Sequence, residues 1–167
     1  MANTVKWNVI DTPLAGSTVV GKIQPATLNF SKDFAKKGGK DGEAIITNLT
    51  SPLDCSETIR FAYSKVNNIY AQTGIDPNVY AASRLGFSVL SQLNTTLTST
   101  TESGHRIDLP LSAHLVLRGP ASEDITGAII ANVISRLIGT LFEEGAATPD
   151  ARINSLIRGA VLPKALA

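Results

Sequence analysis

The sequence predicts an α+β fold, an antiparallel sheet of about five strands followed by two helices. Three observations predict it. Apolar and polar residues alternate along three long stretches of the first two-thirds of the chain. Beyond Gly119-Pro120 the apolar spacing changes to three and four, the period of a helix. Helices grouped after strands leave none between them to serve as the crossovers of a parallel sheet. The chain has 167 residues, 17% of them charged, against roughly 25% in an average soluble domain. The hydrophobic fraction is 43%, and 15 Lys and Arg nearly balance 14 Asp and Glu for a net charge of +1. This is the length of a single domain, 1–167, with a hairpin over 1–24, the sheet over 27–118 and the helices over 122–162. The composition excludes a disordered chain and a polybasic nucleic-acid-binding tail. A small chain with few charges has much surface that charges do not cover. Contact with further copies of itself would cover it.

The strands follow in order. Val5 to Asp11 and Ser17 to Ile23 are short β-prone runs flanking Thr12-Pro13-Leu14-Ala15-Gly16, which reads as a hairpin. Thr27 to Phe34 reads as a third extended piece. Lys36 to Gly42, with three glycines, reads as a turn, and Glu43 to Thr50 as the strand after it. The lysines Lys36, Lys37 and Lys40 read as a solvated hairpin tip rather than a phosphate cradle, since no strand-to-helix step accompanies them. Thr58 to Val66 puts Ile59, Phe61 and Tyr63 on one face. Phe87 to Thr98 puts Phe87, Val89, Leu93 and Leu97 there. Thr73 to Asn78 breaks the chain between these strands, and Thr100 to Gly104 is a turn. Ile107 to Arg118 then alternates throughout, with Pro110 suited to an edge, a bulge or a strand start.

Ser122 is the expected N-cap of the first helix, with Glu123 and Asp124 complementing its dipole. Its apolar stripe runs from Ile125 through Ile129, Ile130, Val133, Ile134, Leu137, Ile138 and Leu141 to Phe142, and Gly145 closes it. Gly127 and Gly139 weaken a helix. Close approach of a partner helix explains them, and so does simple tolerance. The second helix begins at Thr148-Pro149-Asp150, carries Ile153, Leu156 and Ile157, and ends at Gly159 and Pro163.

Catalytic motifs are scarce, so the reading is not an enzyme. HExxH, GxSxG, CxxC and P-loop patterns are absent. The two histidines, His105 and His114, do not suffice for a metal site, and no cofactor is expected. Asp108 and His114 fall about 20 Å apart along one strand, too far to act together. The single cysteine, Cys55, forms no intrachain disulfide and reads as a free thiol. The matches to the glycosylation pattern at Asn48 and Asn94 are idle without secretion. The N-terminus lacks the apolar core of a signal peptide, and Ile125 to Phe142 is too interrupted to span a membrane. The informative constellation is the polar face of the sheet. Strand parity projects Arg60, Ser64, Gln92, Asn94, Thr96, Ser112, His114 and Arg118 to one side. Short hydroxyls and amides with two arginines suit single-stranded or hairpin RNA. An ordinary solvated face has the same pattern.

The segment from Arg106 to Pro163 carries a resemblance. Ile107-Asp108-Leu109-Pro110 opens a strand, Gly119-Pro120 breaks it, a capped helix runs to Phe142-Glu143-Glu144-Gly145, and a short loop opens a second helix. Upstream lie an N-terminal hairpin and the strands around Glu57-Thr58-Ile59-Arg60-Phe61 and Leu85-Gly86-Phe87-Ser88-Val89-Leu90. In order and spacing the whole chain resembles the coat proteins of single-stranded RNA bacteriophages, the levivirus type. Residues 67–84 make it longer than the best-known members.

The resemblance implies an intertwined homodimer whose sheets join edge to edge while each subunit's helices clasp the other. The clasp would use Ile130, Val133, Ile134, Leu137, Ile138 and Leu141. It implies an icosahedral shell in the virion, built in the host cytoplasm around a single-stranded RNA genome, with no membrane partner. The inner face, Arg60, Ser64, Gln92, Asn94, Thr96, Ser112 and His114, would bind RNA, including a hairpin that represses translation. The turn from Thr100 to His105 would gather at symmetry axes. The alternative is a small dimeric RNA-binding regulator that uses the same face and forms no shell.

Overall fold

The computed structural model describes residues 4–7, 12–13, 26–71, 73–80, 83–123, 125–142, 150–163 and 166. They divide into two compact units. The first holds β1 (Thr4–Trp7) and the continuous stretch from Leu28 to Ser122. The second holds β2 (Thr12–Pro13), β3 (Ala26–Thr27) and the described residues after Ser122.

The first unit is an antiparallel sheet. Its strands are β1, β4 (Phe34–Gly38), β5 (Glu43–Asn48), β6 (Thr58–Val66), β7 (Gly86–Thr100) and β8 (Arg106–Pro120). β7 is the central strand. One side of it pairs with β6 over its first half and with β1 over its last four residues, and the other side pairs with β8 along its full length. β5 and then β4 continue the sheet beyond β6. The period-two stretches thus become β6, β7 and β8, the last two running one to two residues past their expected ends. β-branched Thr recurs along β7, beside Val89, and suits its half-buried position.

Local departures have local causes. Phe30–Asp33, expected as extended chain, is a short helix, α1, because the Asn29 side chain accepts a hydrogen bond from the Lys32 N–H at 3.2 Å. Lys36 and Lys37, expected in a turn, lie in β4, where the register shifts between Lys36 and Gly38. The turn proper is Gly39 to Gly42. Gly42 has φ +73°, a Cβ there would lie 2.9 Å from the Tyr63 carbonyl oxygen, and the Tyr63 N–H donates to the Gly42 carbonyl at 2.7 Å. Only glycine allows that approach. Val5 to Trp7, one arm of the expected N-terminal hairpin, pairs with the end of β7; the other arm, Ser17 to Ile23, lies outside the described residues. Thr12 and Pro13, expected at the tip, form a two-residue ladder with Thr27 and Ala26. In the connection between β6 and β7, Pro77–Tyr80 forms a single helical turn, α2.

The second unit carries the longer helices, α3 (Gly127–Gly139) and α4 (Asp150–Ile157). α3 starts later than expected. Thr126, not Ser122, is its N-cap, and its hydroxyl accepts from the Ile129 N–H at 3.4 Å. It also ends earlier, so Leu141 follows the helix in a tightened turn. Gly127 and Gly139 are the first and last helical residues, and a Cβ at either meets nothing within 4 Å. Both therefore stand at the ends of the helix rather than in its interior. α4 ends as expected at Gly159, φ +85°, whose N–H donates to Leu156 while that of Ala160 reaches Ser155. Arg152, 7% exposed, donates to the carbonyls of Val161 and Leu162 at 2.6 and 3.1 Å and holds the chain after the helix. Gly145, Thr148 and Pro149 lie outside the described residues.

Ile59, at 5% exposure, is the only buried hydrophobic side chain among the described residues. Ile107, Leu109 and Leu111 stand exposed along β8, and Phe61 and Tyr63 along β6. All five belong to the same face of the sheet by register. Exposed large apolar side chains repeated along one sheet face mark a contact surface. β8 compounds the point. It is 15 residues long, pairs only with β7 among the described residues, and so presents an open edge. Pro110 sits within it, where an edge strand tolerates a missing N–H.

Candidate nucleic-acid interface

Residues directly opposed in an antiparallel pair share a face. The register therefore assembles the polar face in rows across β6, β7 and β8. Arg60, Gln92 and His114 form one row. Thr58, Asn94 and Ser112 form the next, and Ser64, Ser88 and Arg118 a third on the other side. Thr96 lies further along β7, opposite Pro110. All seven residues expected for RNA are thus brought to one face of one sheet. Gln92 Nε2 donates to Asn94 Oδ1 at 3.2 Å, which joins two rows. Leu90 and Val116 interrupt the polar surface between the first and third rows.

The charge on this face differs from the expectation. Arg60 is paired with the Glu43 carboxylate, supplied by the neighbouring strand β5. Its guanidinium is therefore already matched by an anion, and strand parity within β6 gives no sign of that. Arg118 takes part in no ion pair among the described residues.

At the far end of the face Arg106 makes a clamp between segments far apart in sequence. It contacts Asp108 Oδ1 and Asp54 Oδ2, each at 2.8 Å, and donates to Cys55 Sγ at 3.4 Å. Asp108 also accepts from the Thr98 hydroxyl at 3.0 Å. The hydrogen bond from Arg106 lowers the Asp54 carboxyl below its ordinary pKa, and Arg106 itself is raised by its bonds to Asp108 and Asp54. Burial raises the Cys55 thiol, and the Asp54 carboxylate raises it further. Asp54→Asn removes that anion, so the thiolate fraction at pH 8 should rise and iodoacetamide should label Cys55 faster. An unchanged or slower rate would show that Asp54 does not hold the thiol protonated.

A second polar network shapes the turn between β5 and β6. Asn48 Nδ2 donates to Glu57 Oε1 at 2.9 Å, and Asn48 Oδ1 accepts from the Thr50 N–H and hydroxyl at 3.0 and 2.7 Å. Asn48 and Glu57 are both buried, so the sequence that matches a glycosylation acceptor is occupied by structure. Both clusters link residues through loops, a relation that strand periodicity does not encode. Among the described residues no group of His, Cys, Asp and Glu is placed to hold a metal ion. No described helix is long and apolar enough to cross a membrane.

No family model matches the chain, and no curated protein matches it in sequence. Solved structures do match. A chain of the virus-like particle of bacteriophage AVE015 superposes with a TM-score of 0.78 over 92% of this chain and 95% of its own, at 22% identity. The fold is that of a bacteriophage virus-like particle. A chain of the virus-like particle of bacteriophage GQ-112 agrees, with a TM-score of 0.69 over 92% of this chain and 96% of its own, at 14% identity. With so little sequence in common, the shared capsid fold rests on backbone architecture.

Proposed function

We propose that this chain is the coat protein of a single-stranded RNA bacteriophage, with a structural rather than an enzymatic role. The observation that carries the reading is the virus-like-particle fold over 92% of the chain. The thin core and open edge strand support it. In this reading two copies pair antiparallel along β8, joining their sheets and removing both edges. Val133, Leu137 and Ile138, exposed on α3, with Ile130, Ile134 and Leu141, half-buried, supply the apolar clasp on the partner. Dimers then close into an icosahedral shell in the host cytoplasm, and the polar face turns toward the packaged genome.

With a net charge of +1, RNA is held by hydrogen bonds from Gln92, Asn94, Thr96, Ser112, His114 and Ser64 more than by a basic field. Arg60 contributes to phosphate once it leaves Glu43. A hairpin bound on the same face represses translation. The test is negative-stain electron microscopy of the protein expressed alone in bacteria, with the ratio of absorbance at 260 and 280 nm. Closed particles rich in RNA are expected. A discrete dimer that binds RNA and never forms a shell would replace the coat protein with a regulator. A small species without nucleic acid would refute both.

A further inference from the structure

The connection between β6 and β7 folds back against the end of the polar face. Ile69 lies over Gly86, where a Cβ would come within 2.7 Å of the Ile69 Cβ, and the Ile69 N–H donates to the Arg84 carbonyl at 3.0 Å. Asn68 Oδ1 accepts from the Tyr70 N–H at 3.2 Å and the Thr73 hydroxyl donates to the Tyr70 carbonyl at 2.8 Å, so this stretch is held by its own bonds. Between it and the sheet is a cavity of about 640 Å³ lined by Val66, Ile69, Tyr70, Ile75, Arg118 and Pro120 among others. That lies within the roughly 300–1,000 Å³ of small-ligand sites. By register Val66, Arg118 and Pro120 belong to the polar face. The cavity is therefore continuous with the row Ser64, Ser88 and Arg118.

We infer that this cavity is a nucleotide subsite, in which an unpaired base of single-stranded RNA sits against Tyr70 and the adjoining phosphate lies on Arg118. The inference rests on the reading of the polar face as RNA-binding and adds a site to it. The lining is apolar and aromatic, as a base face requires, with a cation at the side where the backbone would run. Arg118 has no carboxylate partner among the described residues, unlike Arg60, so it offers its charge at no cost in a broken ion pair. The hydroxyls of Ser64 and Ser88 share the row of Arg118, one row of Ala62, Leu90 and Val116 away from Gln92. The wall is built by the connection between β6 and β7, which thereby adds to the proposed RNA-binding surface.

The test measures binding of a fluorescein-labelled single-stranded RNA to the full-length protein, beside a matched strand of abasic residues. Wild type should prefer the strand with bases. Tyr70→Ala should lose about tenfold in affinity for that strand and nothing for the abasic one, while Tyr70→Phe keeps the preference. Arg118→Gln should weaken both strands and reduce the salt slope by about 0.7 for one lost phosphate contact. It changes an exposed side chain, so it remains informative if Tyr70→Ala fails to fold. If wild type binds RNA and the Tyr70 and Arg118 variants match it on both strands, the subsite falls and the RNA-binding face stands. If wild type binds neither strand, both fall. If Tyr70→Ala stops particle formation at unchanged RNA affinity, the cavity seats a neighbouring subunit and the inference is overturned.

Discussion

Val133→Asp is expected to abolish particles while leaving the subunit folded. Val133 lies near the middle of α3 and is 54% exposed, and Ile129 and Leu137, one turn to either side, are 45% and 53% exposed. These three form an i, i+4 row of exposed apolar side chains. On an isolated subunit the substitution should change stability by no more than about 0.5 kcal/mol, as at other exposed sites. Val and Asp also have similar helix propensities. If a second subunit covers the row, the new carboxylate is buried without a partner, at a cost of about 3–5 kcal/mol. Since 1.4 kcal/mol is tenfold, each interface would weaken by about two to four orders of magnitude. Circular dichroism should match wild type, while size exclusion with light scattering shows a small species and microscopy shows no shells. Normal particles from Val133→Asp would remove α3 from the interface.

The long elements were legible in the sequence because one physical signal dominates each of them. One face of β6, β7 and β8 is apolar and the other polar, so their sequences alternate, and the three strands fall within two residues of the expected positions. The α4 end was legible because Gly159 adopts a backbone conformation that few other residues do. Short elements were not. α1 and the true start of α3 depend on a single side-chain hydrogen bond each, accepted by Asn29 and Thr126, and Ser122 offers the same hydroxyl. Pairing of Val5 to Trp7 with the end of β7 joins residues about ninety positions apart, for which the local pattern has no signal.

The candidate site divides in the same way. That its residues share a face was legible, since period two alone predicts this for Arg60, Gln92, Asn94, Ser112 and His114. Its electrostatics was not. The Glu43 that engages Arg60 sits on β5, and only the register Ile45 opposite Arg60 brings the two within reach. The Arg106 clamp on Asp54 and Cys55 depends on how the loop before β6 turns. The low net charge of the chain thus understates how far its cations are already matched by acids. On the proposed reading, that moves the burden of RNA binding toward amides, hydroxyls and the one strand arginine, Arg118, that takes part in no ion pair among the described residues.

Gly86→Ala should cost the subunit about 1–3 kcal/mol, the range for overpacking a filled interior. Gly86 opens β7 and is buried. The added Cβ would lie 2.7 Å from the Gly119 carbonyl oxygen and 2.7 Å from the Ile69 Cβ. Neither neighbour yields easily. The Gly119 oxygen is backbone of the adjacent strand, and Ile69 is branched at the contacted carbon, so its rotamers do not remove the clash. Either β8 shifts at its C-terminal end or the 67–71 stretch lifts from the sheet. For a chain of this size each kcal/mol lowers the melting midpoint by roughly 2–4 °C, so a fall of about 2–12 °C is expected in differential scanning fluorimetry of matched assembly states. Gly127→Ala is the control: a Cβ there meets nothing within 4 Å, and its midpoint should not fall. A wild-type midpoint for Gly86→Ala would mean that Ile69 does not pack on Gly86. The wall of the cavity beside Tyr70 would then lose its anchor. A lowered midpoint accompanied by weaker binding of base-bearing RNA alone would tie that anchor to the subsite it builds.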